Sequence, residues 1–258
     1  MSQTAKLRER AVGYRWVVIG MWLLCGVFGF MTMSTLGILL PAISSDLGLS
    51  PSQQGLLGSS TFFGSLVLGV PMSWWTSRFA PKVLTTITLA LGAFFLFFQG
   101  WAPAFAILLA GRLGFGIVML AREPARALLI LQWFPRREVV LVNSVSNVLF
   151  GLVVGGGMVA TPFIMEYLGH SWRSIFYIFS AILAILTLVW VVLGREQSTG
   201  EYQSLEVSKE KSLLKGTLSY PDLWVGGFGF LGANLAWSAF LTFFPTLMLD
   251  RYQIPLQW

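Results

Sequence analysis

Residues 111–135 read GRLGFGIVMLAREPARALLILQWFP, and this stretch decides how the whole chain is read. The apolar run that contains it, near 104–132, is long enough to cross a hydrocarbon core of roughly 30 Å, which takes about 20 helical residues. Yet Arg112, Arg122, Glu123 and Arg126 sit inside it. An ionisable side chain at that depth costs about 2.5–3.5 kcal/mol on insertion scales, so such groups face a watery cavity or one another. Four of them in one helix are hard to explain as packing.

At about 100° per residue, Glu123 falls roughly 20° from Arg112 around the helix and Arg126 roughly 40° to the other side, with Arg122 at the margin, roughly 80° away. One face therefore runs Arg112, Gly116, Met119, Glu123, Arg126. Three guanidiniums against one carboxylate leave it positive, because Arg stays protonated in proteins. The planar guanidinium fork matches a carboxylate or phosphate, so the face should attract a small organic anion. Glu123, able to pair with Arg126 one turn on, is the natural site for a coupling proton. Pro124 removes the hydrogen bond to the Leu120 carbonyl and invites a kink beside the charges. A competing reading ends the span before Arg122 and leaves these charges in headgroups. Against it, ALLILQWF followed by PRRE supplies its own apolar stretch, aromatic anchor and basic stop.

The rest of the chain has the same character. It is 55% hydrophobic and 11% charged, with mean hydropathy +0.73, too little polar surface for a water-soluble domain. Further apolar runs fall near 16–39, 54–75, 83–101, 139–167, 173–193 and 222–248, giving seven spans. Trp16, Trp74, Trp75, Trp101, Trp133, Trp172 and Trp224 lie at their edges, as expected at headgroup level.

Basic residues orient the spans. Lys6, Arg8, Arg10, Arg15, Arg78, Lys82, Arg136, Arg137, Arg195, Lys209, Lys211 and Lys215 all fall on one side, against Arg173 and Arg251 on the other. The first side is cytoplasmic by the positive-inside rule, which predicts a multi-pass inner-membrane protein with a cytoplasmic amino terminus. The scattering of the basic residues between apolar runs argues against nucleic acid. The organisation expected is a six-helix bundle over 1–193, a cytoplasmic linker over 194–221 and a further transmembrane helix over 222–258. Ser50, Pro51 and Gln53 should open span two with a capping box; Ser171 can cap span six, and Pro221 with Asp222 can open span seven.

Outside span four, polar groups are few. Asn143, Asn147, Gly151 and Gly155 recur at intervals of four on span five, a spacing that favours close helix packing for Asn143 and leaves Asn147 nearly even between packing and substrate contact. Asn234 is the best cavity-facing group on span seven. One cysteine, Cys25, and one histidine, His170, leave no internal disulfide, metal cluster or triad to build, and no cofactor is called for.

Several pieces in order resemble the major facilitator superfamily. GILLPAISSDLGLSPSQQGLL is similar to the end of that family's first helix, its loop and the start of the second. Arg112-Leu113-Gly114-Phe115-Gly116 resembles its fourth-helix motif, Trp133 to Glu138 its loop after helix four, and His170-Ser171-Trp172-Arg173 its entry into helix six. The loop after the second helix departs from the pattern: Arg78 and Lys82 stand where the family's gating loop carries basic residues, but Ser77 stands where the Asp would be. The resemblance implies twelve helices in two halves around a central site. This all-α chain would supply one six-helix half, the linker and the first helix of the second half, truncated relative to the twelve-helix fold. The charged fourth helix also looks like that of the family's organic anion:cation symporters.

The function expected is proton-coupled transport of a small organic anion by alternating access. Arg112, Arg122 and Arg126, with Asn143, Asn147 and Asn234, would form the anion site, and Glu123 would carry the proton. Its partners would be the anion, protons, the bilayer and the missing carboxy-terminal half. The competing expectation is a transport-inactive membrane module acting in protein interaction or sensing. An enzyme ranks last, for want of a catalytic constellation.

Overall fold

The computed structural model describes residues 3–60, 75–76, 79–169, 171–195 and 219–252. They are helical throughout: α1 (Gln3–Ser34), α2 (Leu36–Leu47), α3 (51–60), α4 (Pro81–Trp101), α5 (Phe105–Trp133), a 3-10 turn at Arg136–Glu138, α6 (Val139–Tyr167), α7 (Trp172–Leu193) and α8 (Pro221–Tyr252). Among the described residues six helices are long and apolar enough to cross a membrane. The expected second span at 54–75 lies largely outside the described residues, as do Arg78 and linker residues 196–218.

The termini follow local chemistry. The Ser50 backbone N–H donates to Gln53 Oε1 at 2.9 Å, and the Gln53 N–H returns a bond to Ser50 Oγ at 3.3 Å, so the capping box forms as its residues dictate. Ser171 Oγ accepts from the Ser174 N–H and starts α7. Pro221 opens α8. The first span departs from its expected limits of 16–39. Its helix starts at Gln3, breaks at Thr35 and resumes as α2 to Leu47, because hydropathy reports the apolar window while backbone bonding continues past it. Gly48 ends α2 in the left-handed region, φ 59°, a conformation glycine adopts without Cβ strain.

Helix α4 packs between α5 and α7, and α1 lies against α6, α7 and α5. Leu89, Leu96, Leu108, Phe115, Phe176 and Leu183 fill the core. Gly114 admits the Phe95 ring of α4, which a Cβ there would strike. Core polar groups answer locally: Ser180 Oγ donates to the Ala93 carbonyl at 2.7 Å. At one end of the bundle Arg173 ion-pairs with Asp46, donates to the Ala102 carbonyl at 3.3 Å and covers the Trp172 ring, joining the ends of α2, α4 and α7. At the other end Tyr14 Oη donates to the Leu193 carbonyl at 2.6 Å and its ring meets Trp133. Helix α8 touches the rest chiefly through α2.

Candidate functional site

The site begins at the break in the first span. Thr32 Oγ1, Ser34 Oγ and Thr35 Oγ1 donate to the Gly29, Phe30 and Met31 carbonyls at 2.6, 3.1 and 2.8 Å, and such back-bonding bends helices. The ladder is interrupted at Thr35, whose carbonyl then accepts from both Ile38 and Leu39. These three hydroxyls thus serve the bend.

Arg112, 2% exposed, reaches from α5 to this bend and donates through Nη2 to the Met33 carbonyl at 2.8 Å. Three turns on, Arg122 is 1% exposed and lies with its guanidinium carbon 5.0 Å from the centre of the Trp22 ring of α1. Gly26 of α1 makes room for it: a Cβ there would stand 3.0 Å from Arg122 Nη2. A guanidinium over indole gains cation–π attraction, more so when water is excluded. Among the described residues both arginines keep Nε and Nη1 buried with no hydrogen-bond partner, a cost of roughly 1–3 kcal/mol per group.

Glu123 and Arg126 are half-buried and line a cleft with Trp22, Gly26 and Phe30 of α1 and Ser146, Asn147 and Phe150 of α6. Arg126 Nη2 donates to Asn143 Oδ1 at 3.1 Å. Among the described residues Glu123 forms no ion pair, so the pairing with Arg126 open to it in the sequence gives way to the Arg126–Asn143 bond. The cleft encloses about 50 Å³, well below the roughly 300–1,000 Å³ of a small-molecule pocket.

Arg122, assigned to the margin, is buried against α1, while Glu123 and Arg126 open to the cleft. Helix α5 runs through Pro124 without interruption to Trp133. Asn234 lies on α8, and Lys82 stands at the start of α4, its carbonyl accepting from Trp190 Nε1 at 3.4 Å. Arg78 lies outside the described residues. Among the described residues no three His, Cys, Asp or Glu gather where a metal could sit. Trp22 escaped the sequence reading, since a tryptophan inside a span gives no local sign of the cation it faces.

Three comparisons bear on this geometry. The sequence profile described as Major Facilitator Superfamily matches residues 22–258. Among characterised proteins, the chain is 26% identical over 234 residues to a hexuronate transporter of Bacillus subtilis, covering 88% of this chain and 55% of the relative. It is 23% identical over 198 residues to a probable galactarate/D-glucarate transporter of Escherichia coli, covering 74% and 44%. It is also 23% identical over 261 residues to a galacturonate transporter of Dickeya chrysanthemi, covering 95% and 75%. The chain spans about half the length of the first two. Among solved structures it superposes on a bacterial homologue of the human lysosomal transporter Spinster, inward-facing and unoccupied, with TM-score 0.74 at 17% identity, over 95% of this chain and 57% of that one.

Proposed function

The chain belongs to the major facilitator superfamily, and from that premise we propose that it is the amino-terminal part of a secondary active transporter that moves a small organic anion, of the sugar-acid class, together with protons by alternating access. One observation carries the reading: Arg112 and Arg122 are both buried and each keeps two nitrogens unpartnered, on the helix that also presents Glu123 and Arg126 to a cleft. Buried donors without acceptors are costly, and a carboxylate arriving from the cleft side would relieve that cost. The hexuronate and galactarate/D-glucarate transporters among its relatives supply the substrate class.

In this reading Arg122 and Arg126 meet the carboxylate, Arg112 supports them from the bend, and Asn147 contacts the substrate's hydroxyls. Asn143 orients Arg126, and Glu123 carries the proton. Residues 1–193 form the first half, 194–221 a cytoplasmic linker, and 222–258, with Asn234, the opening of a second half that would complete the cleft. Arg78 and Lys82 belong to the loop that gates the cytoplasmic side, and the protein resides in the inner membrane with its amino terminus inside.

The test is counterflow of labelled glucuronate and galactarate in liposomes. The chain is reconstituted alone and joined to five further spans that would complete the second half. Accumulation driven by an inward proton gradient is expected from the joined protein, and Glu123→Gln should abolish the accumulation while sparing counterflow. Accumulation untouched by Glu123→Gln would remove the proton role. The second reading, a transport-inactive membrane module, draws on α8, whose membrane-length stretch is unburied. It predicts no flux from the joined protein but a stable complex of the chain alone.

A further inference from the structure

The structure assigns a binding site for an anionic phospholipid to the side of the bundle, in the leaflet at the end that carries Tyr14. Between α1, α6 and α7 lies an open groove of about 400 Å³ whose walls include Gly20, Leu24 and Val27 of α1, Leu149 and Val153 of α6 and Leu193 of α7. Among the described residues no charged or hydroxyl-bearing side chain lines it. From Trp16 to Val27 the helix rises about 16 Å at 1.5 Å per residue. That is about half of a hydrocarbon core of roughly 30 Å, the reach of one leaflet's acyl chain.

The mouth of the groove is built for a headgroup. Trp16, 41% exposed, stands there, as aromatic rings do at the membrane–water interface. The Arg15 guanidinium carbon lies 5.7 Å from the centre of that ring and 5.0 Å from the centre of Phe134. One side of Arg15 is ion-paired with Glu138 at 3.0 Å, while its Nε is buried without a hydrogen-bond partner. The exposed Arg195 sits with its guanidinium carbon 4.9 Å from the centre of the Tyr14 ring. Tyr14 in turn bonds the carbonyl of Leu193, a wall residue of the groove.

Of these three charged residues, two guanidiniums against one carboxylate leave an excess positive charge. A single acyl chain suits the apolar walls, and the unbalanced guanidinium calls for an anion at the level where a phosphodiester lies. An apolar helix of another protein would fill the walls but bring nothing to that charge. Charge complementarity therefore selects an anionic lipid over both a zwitterionic lipid and a protein partner. The groove is separated from the charged cleft by Leu23 and Val27, which line both, so this site stands apart from the proposed substrate site.

Native mass spectrometry of the purified chain in neutral detergent tests the assignment, with titrations of dioleoylphosphatidylglycerol and dioleoylphosphatidylcholine. One phosphatidylglycerol should remain bound at a several-fold lower lipid concentration than phosphatidylcholine. Arg195→Gln should reduce that preference to near parity. Gly20→Phe should remove the tight adduct of either lipid, and because no atom lies within 4 Å of a Cβ at Gly20, the ring grows into the groove and not into the core. Circular dichroism checks that fold is kept; if Gly20→Phe does not fold, the headgroup preference of Arg195→Gln decides alone. Equal binding of the two lipids overturns the assignment, as does a preference that survives Arg195→Gln. A dimer, and not a lipid adduct, lost on Gly20→Phe would give the groove to a second copy of the chain.

Discussion

Arg112 Nη2 holds the Met33 carbonyl at 2.8 Å, across the point where the first span bends. The residue read from the sequence as an anion ligand is thus also a strut between α5 and the bend, and the two roles separate experimentally. In detergent without any anion, Arg112→Ala should loosen the bend, read as faster amide hydrogen exchange over residues 33–39, a local readout independent of what the loss of two unpartnered buried nitrogens does to global stability. Exchange there the same as in the parent protein would show that the bend does not depend on the guanidinium.

The clamp at the opposite end of α2 gives a pH dependence. Arg173 and then Trp172, both donating to its carboxylate, hold Asp46 below its ordinary 3.8. A depressed folded-state value means that the contact stabilises above the unfolded value and is lost as pH falls through the lowered one. The side chains of Arg173 and Asp46 are 35% and 43% exposed, so solvent screening keeps the contribution below about 1 kcal/mol. Asp46→Asn should therefore melt slightly earlier than the parent at pH 7, and the gap should close as the pH falls below the ordinary 3.8 of the aspartate. A gap that widens in acid would contradict the assignment.

Much of the fold was legible because membrane crossing leaves long apolar windows and caps have local signatures, as at Ser50, Ser171 and Pro221. The break at Thr35 was not, since three hydroxyls in a span read equally as packing or as back-bonding until their carbonyl partners are known. On α6 the four-residue spacing of Gly151 and Gly155 suggested a close seam, yet among the described residues nothing stands within 4 Å of a Cβ at either, whereas Gly157 meets Met31 closely. Spacing tells which residues share a face but not which neighbour that face meets. The same holds for α5. Its charges were found from composition alone, but the burial of Arg122 depends on Trp22 and Gly26, about a hundred positions earlier.

The contact between α2 and α8 provides the last test. Pro245 lacks the N–H that would bond the Leu241 carbonyl one turn back, and that carbonyl faces Gly37, where any Cβ would strike it. Gly58 of α3 lies against the same stretch, a Cβ there falling 2.7 Å from Thr242 Cγ2. The crossing is close because both glycines lack side chains, a device common where helices pack in membranes. Gly37→Val meets backbone, which cannot rotate away, whereas Gly58→Ala meets a movable methyl group. Gly37→Val should therefore separate α8 from α2, and Gly58→Ala should not. With Thr242→Cys as a reporter, labelling by a water-soluble maleimide should rise several-fold in the Gly37→Val background and change little with Gly58→Ala. Equal labelling in both backgrounds would mean that the crossing does not rest on Gly37.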